Sequence, residues 1–297
     1  MKNFILLSFL VLQSVLVFAQ EQPRVSQLFN FDWKFRAGDL KEAQLVTYDD
    51  DNWRVLDLPH DFQIEQTWDE SAGGARGFKA MGTGWYRKHF KITDDAARHY
   101  IYFEGVYNRS EVYLNGHLLG KRPNGYISFL YDMTPYLKEG DNVLSVRVDH
   151  SRYADSRWYT GSGIYRDVWL IAAPEIHLAQ WGTGWYATSL TDRQATIAVD
   201  MEVQKHIVTR EKLELSATLY DAAGKQVAQR RTRVSDGKEG ITKETLTLKV
   251  TKPHRWNLND PYLYTLKAEL LSNGKRIDGC ETKVGLRTLD FDPIKGF

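Results

Sequence analysis

The stretch RWYTGSGIYRDVWL, residues 157–170, holds side chains well suited to binding chemistry. Arg157, Trp158 and Tyr159 stand directly before the flexible Gly161-Ser162-Gly163. Two interpretations compete. In the first, the stretch is a strand that the chain enters through a tight bend, and its aromatic side chains fill a core. In the second, it is a loop that offers an arginine and a tryptophan to a polar ring such as a sugar.

The composition narrows the functions open to the chain. Its 297 residues suffice for two folded domains, since a domain takes roughly 100–200 residues. Lys and Arg total 39 and Asp and Glu total 38, for a formal net charge of +1. This balance lacks the clustered basic charge that binds nucleic acid or an anionic membrane, so we expect neither partner. Aromatic residues make up 13%, which suits either β-structure or stacking on sugars.

The N-terminus has the pattern of a targeting segment. Lys2 precedes an apolar run from Phe4 to Phe18, and Val17 and Ala19 fit the small residues before a cleavage point. Because the run is short for a membrane span, we predict a signal peptide over residues 1–19. The mature protein would then be exported to the periplasm or the medium and would keep no membrane segment.

The sequence contains a single cysteine, Cys280. An exported chain with one thiol forms no internal disulfide, so we expect Cys280 to be a small buried apolar residue. We also expect no metal site and no cofactor.

The rest of the chain has the alternation typical of β-strands. Apolar and polar residues alternate in YIYFEGV (100–106), SEVYLNGHLLG (110–120) and DNVLSVRVDH (141–150), and again at 212–229, 244–250 and 262–279. Asn115-Gly116 and Asn273-Gly274 each predict a tight hairpin. No amphipathic helix of about ten residues is evident. Many short strands with turns between them predict sandwiches or barrels.

A domain boundary is predicted near Pro174. The stretch VWLIAAPEIHL, residues 168–178, ends one β-rich block and begins another. The second block, from about residue 175 to 287, has the size of an immunoglobulin-like sandwich. It lacks the paired cysteines of antibody domains, so only the architecture is implied.

Several motifs occur in a characteristic order and spacing. Those of the first block are LPHDF (58–62), GTGWYRKHF (82–90) and the long run 102–137; those of the second are HRWNLNDPYLYTL (254–266) and VGLRTLDFD (284–292). Together they resemble glycoside hydrolase family 2, which includes β-galactosidases, β-glucuronidases and β-mannosidases, and within it most closely the exported bacterial β-galactosidases. The resemblance implies an all-β chain: a jelly-roll, galactose-binding-like domain over residues 24–173 and an immunoglobulin-like β-sandwich over 174–287.

Family members continue into a (β/α)₈ barrel that holds two catalytic glutamates. Retaining hydrolysis needs two carboxyl groups about 5–5.5 Å apart. Residues 288–297 resemble the lead-in to that barrel, and no Asn-Glu pair of the family's acid/base type occurs in this sequence. The resemblance therefore implies the non-catalytic part of a glycoside hydrolase, inactive alone, with the barrel as its partner domain.

The resemblance also implies candidate substrate-binding residues: Asp61, Asp155, Arg157 and Trp158. In the family, a loop of the first domain helps to shape the substrate subsite at the barrel mouth. Asp155 would accept hydrogen bonds from sugar hydroxyls, Arg157 would orient that carboxylate, and Trp158 would face the pyranose. For Asp61 the competing interpretation is a turn-capping residue. For Trp158 it is a place in the core.

A second class of function stays open at this point. Jelly rolls also occur as free-standing carbohydrate-binding modules, and a row of exposed aromatic side chains on one sheet face would favour that reading. In both cases the expected ligand is a carbohydrate, a β-galactoside or a related glycoside.

Overall fold

The computed structural model describes residues 23–152, 158–289 and 291–294. The predicted signal peptide, residues 1–19, lies outside the described residues. Within the described part, the chain forms seventeen strands and three short 3-10 turns, and no helix is long and apolar enough to cross a membrane. The 3-10 turns are Glu70–Ala72, Gly74–Arg76 and Thr134–Tyr136.

The first ten strands form a sandwich of two antiparallel sheets. The strands are β1 Val25–Leu28, β2 Trp33–Ala37, β3 Arg54–Leu56, β4 Thr83–Lys91, β5 Arg98–Phe103, β6 Ser110–Leu114, β7 His117–Arg122, β8 Phe129–Asp132, β9 Asp141–Asp149 and β10 Val168–Ala173. In the described residues, one sheet has six strands in the order β3-β2-β4-β9-β6-β7, and the other has four in the order β1-β10-β5-β8.

Alternation along β5 shows why this sequence forms a two-faced strand. Ile101 and Phe103 point into the core between the sheets and are fully buried. Tyr100 and Tyr102 point to the outer face, where Tyr102 lies opposite Trp169 of β10. Each large apolar side chain removed from water contributes about 1.5–3 kcal/mol, so the inward set drives the sheets together. The predicted strand is confirmed, although it ends at Phe103 rather than at residue 106.

The two predicted hairpins are confirmed. Asn115 and Gly116 have φ values of 52° and 85°, and Asn273 and Gly274 have 49° and 81°. Positive φ at both central residues is the geometry in which Asn-Gly turns match the twist of the flanking strands. The first turn joins β6 to β7, and the second joins the last two strands of the chain.

Seven further strands form a second sandwich. The strands are β11 Ile176–Leu190, β12 Gln194–Lys205, β13 Leu213–Tyr220, β14 Gln226–Arg233, β15 Gly240–Thr251, β16 Tyr264–Ser272 and β17 Lys275–Val284. The described residues place three strands in the order β11-β12-β15 and four in the order β14-β13-β16-β17, all antiparallel to their neighbours. This three-plus-four arrangement confirms the immunoglobulin-like prediction.

The connection between the sandwiches is short. β10 ends at Ala173 and β11 begins at Ile176. The predicted domain bounds, 24–173 and 174–287, stay predictions, and part of the predicted lead-in 288–297 lies outside the described residues.

Cys280 departs from expectation, because it is exposed rather than buried. It lies on β17, which is the edge strand of its sheet, and its Sγ atom is 3.6 Å from Thr183 Oγ1. An edge strand has a neighbour on one side only, so water reaches side chains that a central strand would cover.

Candidate functional site

Exposed aromatic side chains gather where irregular segments emerge from the first sandwich. We call this surface the loop face and define it by Trp68, Phe78, Tyr126, Trp158 and Tyr159. These side chains lie on three connections: the one from β3 to β4, the one from β7 to β8, and the one from β9 to β10. Large exposed aromatic side chains grouped in this way indicate a binding surface.

Asp61 ties two of these segments together. Its Oδ1 atom accepts hydrogen bonds from the backbone N–H groups of Gln63, at 2.9 Å, and Ser162, at 2.7 Å. Its Oδ2 atom accepts a bond of 2.6 Å from the hydroxyl of Tyr159. The bond to Gln63 is the turn-capping role considered for this residue. The other two bonds go further, because they hold the segment before β10 against the segment after β3.

The spaced glycines allow that close approach. Gly161 has φ of 71°, and a Cβ atom there would lie 2.7 Å from Asp61 Oδ2. Gly163 has φ of 139°, and a Cβ atom there would lie 2.4 Å from the carbonyl oxygen of His60. Both positions thus require glycine for backbone conformation and for space. Between them, backbone bonds from His60 to Ile164 and from Phe62 to Ser162, each 2.8 Å, pair the two segments like short strands.

Buried hydrogen bonds of the Ser162 side chain also stabilise this pairing. Ser162 is fully buried, and its hydroxyl donates to Gln63 Oε1 at 3.0 Å. The Nδ1 atom of buried His150 lies 2.6 Å from the same hydroxyl oxygen. Since the hydroxyl proton goes to Gln63, the imidazole is the donor in the second contact. Buried polar groups that are satisfied in this way make the position of the segment specific.

His60, the residue before Asp61, links three side chains at this site. Its Nδ1 atom is 2.7 Å from the hydroxyl of Tyr86, and its Nε2 atom is 2.9 Å from Arg54 Nη2 and 3.2 Å from Glu65 Oε1. Burial lowers the pKa of His60 below its ordinary value. The imidazole is therefore neutral near pH 7. It lies between the Tyr86 hydroxyl and the ion pair of Arg54 with Glu65 and contacts both.

Trp158 lies at the surface, so the interpretation that places it in the core is wrong. Its side chain is 60% exposed, and its Nε1 atom donates to the hydroxyl of Tyr126 at 3.2 Å. Tyr159 is also exposed over part of its ring. Its pKa is raised, first because its hydroxyl is partly shielded from water and second because that hydroxyl donates to the Asp61 carboxylate. The physical reason is the bend at Gly161, which turns the preceding residues out of the sheet before Ile164 returns to the core.

The structure relates the predicted site residues to one another only in part. Asp61 and Trp158 lie on the same face, joined through Tyr159. Asp155 and Arg157 lie outside the described residues, so their roles stay predictions. The sequence reasoning missed Tyr126 and Ser162. The turn around Asn124, whose side chain accepts from the backbone of Tyr126 at 2.8 Å, was the signal that could have located Tyr126.

The geometry suits a hydroxyl-bearing ligand better than a metal ion. Three donors occupy most of the acceptor capacity of Asp61, so its carboxylate orients the loop and has little capacity left to coordinate a cation. Among residues 23–152, 158–289 and 291–294, no group of three or more His, Cys, Asp or Glu side chains could hold a metal. The aromatic rings can cover the apolar face of a sugar ring while nearby polar groups bind its hydroxyls.

Two family models match the chain. Residues 40–174 match the model described as the sugar binding domain of glycosyl hydrolases family 2. Residues 183–287 match the model described as glycosyl hydrolases family 2. The loop face lies within the first match.

Curated relatives point to the same family. The chain is 43% identical over 282 residues to Beta-galactosidase BoGH2A of Bacteroides ovatus, a match that covers 93% of this chain and 33% of that protein. It is 33% identical over 294 residues to a putative beta-glucuronidase of Formosa agariphila, covering 97% of this chain and 28% of that protein. The chain thus spans about a third of the length of these relatives.

Solved structures share the arrangement of the two sandwiches. A glycosyl hydrolase family 2 member from Bacteroides cellulosilyticus superposes with a TM-score of 0.84 at 32% identity, over 91% of this chain and 36% of that one. A beta-glycosidase from Bacteroides vulgatus superposes with a TM-score of 0.81 at 37% identity, over 92% of this chain and 35% of that one.

Proposed function

The chain belongs to family 2 of the glycosyl hydrolases, and from this membership we propose that its two sandwiches form the non-catalytic part of a β-galactosidase-like enzyme. In this role they support a catalytic (β/α)₈ barrel and lend it the loop face as one wall of the substrate subsite. The observation that carries the proposal is the exposed Trp158 on a loop held by Asp61, within the segment that matches the sugar binding domain.

The proposed substrate is a β-galactoside or a related glycoside. Relatives of this chain include both β-galactosidases and β-glucuronidases, which share hydrolysis of a glycosidic bond and differ in the sugar they release. The higher identity, 43%, is to the β-galactosidase, and this favours a galactoside.

Asp155 and Arg157 are the proposed polar contacts to that sugar. They precede Trp158 in the sequence by three residues and by one residue. An aspartate can accept from two adjacent hydroxyls, and an arginine can hold the carboxylate in place. Trp158 would cover the apolar face of the ring, so the three side chains would bind one pyranose from two directions.

Residues 1–297 alone are proposed not to hydrolyse glycosides. The family's acid/base and nucleophile are glutamates of the barrel, and the reaction needs both carboxyl groups close to the anomeric carbon. The proposal includes export to the periplasm or the medium, which the N-terminal pattern of residues 1–19 supports.

Removal of the Asp155 carboxylate tests the proposed subsite. In the longer polypeptide that includes the barrel, Asp155→Ala should lower kcat/KM about 10- to 150-fold, because a hydrogen bond to a charged group is worth roughly 1.5–3 kcal/mol. Asp95→Ala, at an exposed aspartate of the first sandwich, is the matched control and should leave kcat/KM unchanged. An unchanged Asp155→Ala enzyme would remove the loop from the subsite.

An assay with nitrophenyl β-galactoside and nitrophenyl β-glucuronide tests the proposal that residues 1–297 alone do not hydrolyse glycosides. The expected result is no turnover above background. Turnover that survives repurification from a host without its own β-galactosidase would overturn it.

A further inference from the structure

A cleft lies at the junction of the two sandwiches, and none of the residues that line it belongs to the loop face. It encloses about 260 Å³. The outer face of the four-stranded sheet of the first sandwich forms one wall, and β11 and the end of β12 form the other. The polar side chains that matter for the argument are Arg24, Tyr100, Asp132, His177, Gln180 and His206. Clefts between domains are common ligand sites.

Three ring side chains meet inside this cleft. The hydroxyl of Tyr100, from the first sandwich, lies 2.8 Å from His206 Nε2 and 3.3 Å from His177 Nε2, both from the second. His177 Nδ1 lies 2.7 Å from the carbonyl oxygen of Pro174, so the ring proton is on Nδ1 and its Nε2 atom is an acceptor. The single proton of the Tyr100 hydroxyl therefore faces two imidazole nitrogens and can be donated to only one of them. A hydroxyl group of a ligand can donate a hydrogen bond to the other nitrogen.

The two arginines at the cleft are both paired with carboxylates. Arg24 pairs with Asp278 at 3.0 Å, and Arg98 pairs with Glu175 at 2.8 Å and with Asp132 at 3.6 Å. Burial lowers the pKa of both His177 and His206, so the imidazoles are neutral near pH 7. A phosphate or carboxylate ligand would find no free cation here. The groups that are present suit a ligand with hydroxyl groups and no charge.

An aromatic shelf adjoins the polar part of the cleft. Trp181 stands next to Gln180, is 61% exposed, and makes an edge contact with Tyr102 at 5.8 Å between ring centroids. Tyr102 lies between Leu130, which lines the cleft, and Trp169 in the sheet register. The shelf therefore continues the cleft along the outer sheet face.

The backbone holds Trp181 in a conformation that bulky residues rarely adopt. Its φ is 57°, and it lies inside an irregularity of β11 between Leu178 and Thr183. Bulges of this kind re-aim a side chain, and an exposed tryptophan has no need of one for packing. The bulge has the effect of turning the Trp181 ring toward the other sandwich.

From these observations we propose that the junction cleft is a carbohydrate site that binds a neutral glycan. One pyranose ring covers the exposed Trp181 ring with its apolar face, and the Tyr102 ring, inclined at 69° to Trp181, flanks it. Its hydroxyls bind the imidazole nitrogens of His177 and His206 and the Gln180 side chain. The volume is slightly below the range of small-molecule pockets, about 300–1,000 Å³, so it takes one or two sugar rings of a longer chain. The proposal does not depend on the role given to the loop face.

Binding to the full 297-residue chain tests the proposal. The probes are galactobiose, cellobiose and xylobiose, with digalacturonic acid as an acidic probe of the same size, measured by calorimetry and tryptophan fluorescence. We expect a millimolar Kd for at least one neutral disaccharide and weaker binding of the acid. Absence of binding for all three neutral probes up to about 50 mM would overturn the proposal.

Two tryptophan variants locate the site. Trp181→Ala should weaken binding about tenfold or more. Tyr186→Ala, at a 53% exposed aromatic side chain of the same strand, is the matched control and should leave the Kd unchanged. Binding that is lost in Trp158→Ala and kept in Trp181→Ala would assign the sugar to the loop face and refute the junction site. Because Trp181 is exposed, the fold should survive its removal, and His206→Gln supplies a second variant that should also weaken binding.

Discussion

At the loop face, the carboxylate of Asp61 accepts donors from two irregular segments. At the domain junction, Tyr100 and His177 lie on strands, and their rings meet the neutral imidazole of His206, which directly follows β12. The aromatic rings differ in the same sense. Trp158 is 60% exposed on the loop face, and Tyr100 is 8% exposed at the junction. The loop face leaves its rings in contact with water, whereas the junction buries Tyr100 between the two sandwiches and keeps Trp181 exposed.

This difference shows two ways of positioning a side chain. In the loop, glycine and a buried serine fix the backbone, and the aromatic side chains follow from it. At the junction, sheet register fixes the backbone, and burial then selects the neutral state of the imidazoles. Substitutions should therefore act through backbone strain in the first region and through protonation in the second.

The largest effect is expected at the glycine that lets the loop pass His60. Gly163→Ala would place a Cβ atom 2.4 Å from the His60 carbonyl oxygen and 2.5 Å from the Tyr86 hydroxyl, at φ of 139°. The free energy of unfolding should fall by about 4 kcal/mol, measured by urea denaturation. Gly184→Ala, on the strand that holds His177, meets no atom within 4 Å and should cost about 0.5 kcal/mol or less. Equal losses in the two variants would break the comparison.

The junction should respond to acid through His177. Burial lowers the pKa of His177 from 6.5 to about 4, so the unfolded chain takes up a proton that the folded chain refuses. Stability is therefore lost as pH falls from 6.5 toward about 4, by about 3 kcal/mol for this group. Calorimetric unfolding from pH 7 to 4 should show a shallower loss in His177→Gln. The same slope in both proteins would contradict a neutral buried imidazole.

A smaller effect is expected from the carboxylate of the loop. Asp61→Ala removes three hydrogen bonds to a carboxylate and should cost about 2 kcal/mol. One such bond can contribute roughly 1.5–3 kcal/mol, but the site is partly exposed and water replaces much of the loss. Tyr159→Phe removes one of the three and should cost about 1 kcal/mol. The amide of Ser162 should exchange with solvent faster in Asp61→Ala. Unchanged exchange there would show that Asp61 does not hold the loop.

The smallest effect on stability is expected at Trp158. Because the ring is 60% exposed, Trp158→Ala should change the free energy of unfolding by about 0.5 kcal/mol or less. Trp85→Ala is the matched control, since its ring is 3% exposed and its loss should cost about 3–5 kcal/mol. A large loss in Trp158→Ala would mean that the ring packs as a core residue after all.

Local sequence patterns predicted much of the fold. Alternation predicted the strands that became β5, β6, β7 and β9, and Asn-Gly pairs predicted both hairpins. These signals are local, because a strand shows its buried face every second residue and a two-residue turn needs residues that tolerate positive φ. The motifs then predicted the family, which implied the two kinds of sandwich.

Exposure was harder to predict than strand position. For Cys280, residue type alone predicted a buried position, and for Trp158 it left a core position open beside an exposed sugar-binding one; both side chains are exposed. Whether such a side chain meets water depends on the neighbouring segments. Trp158 leaves the sheet at a glycine bend, and Cys280 lies on an edge strand.

The sequence by itself determined the all-β class, the order of the strands along the chain, the hairpins and the family. Only the tertiary structure decided which distant groups meet. Asp61 and Ser162 are 101 residues apart along the chain, and Tyr100 and His206 are 106 apart, yet each pair is joined by a hydrogen bond. Local propensity acts over a few residues, whereas these contacts depend on sheet pairing and domain packing, which bring remote segments together only when the whole core is formed.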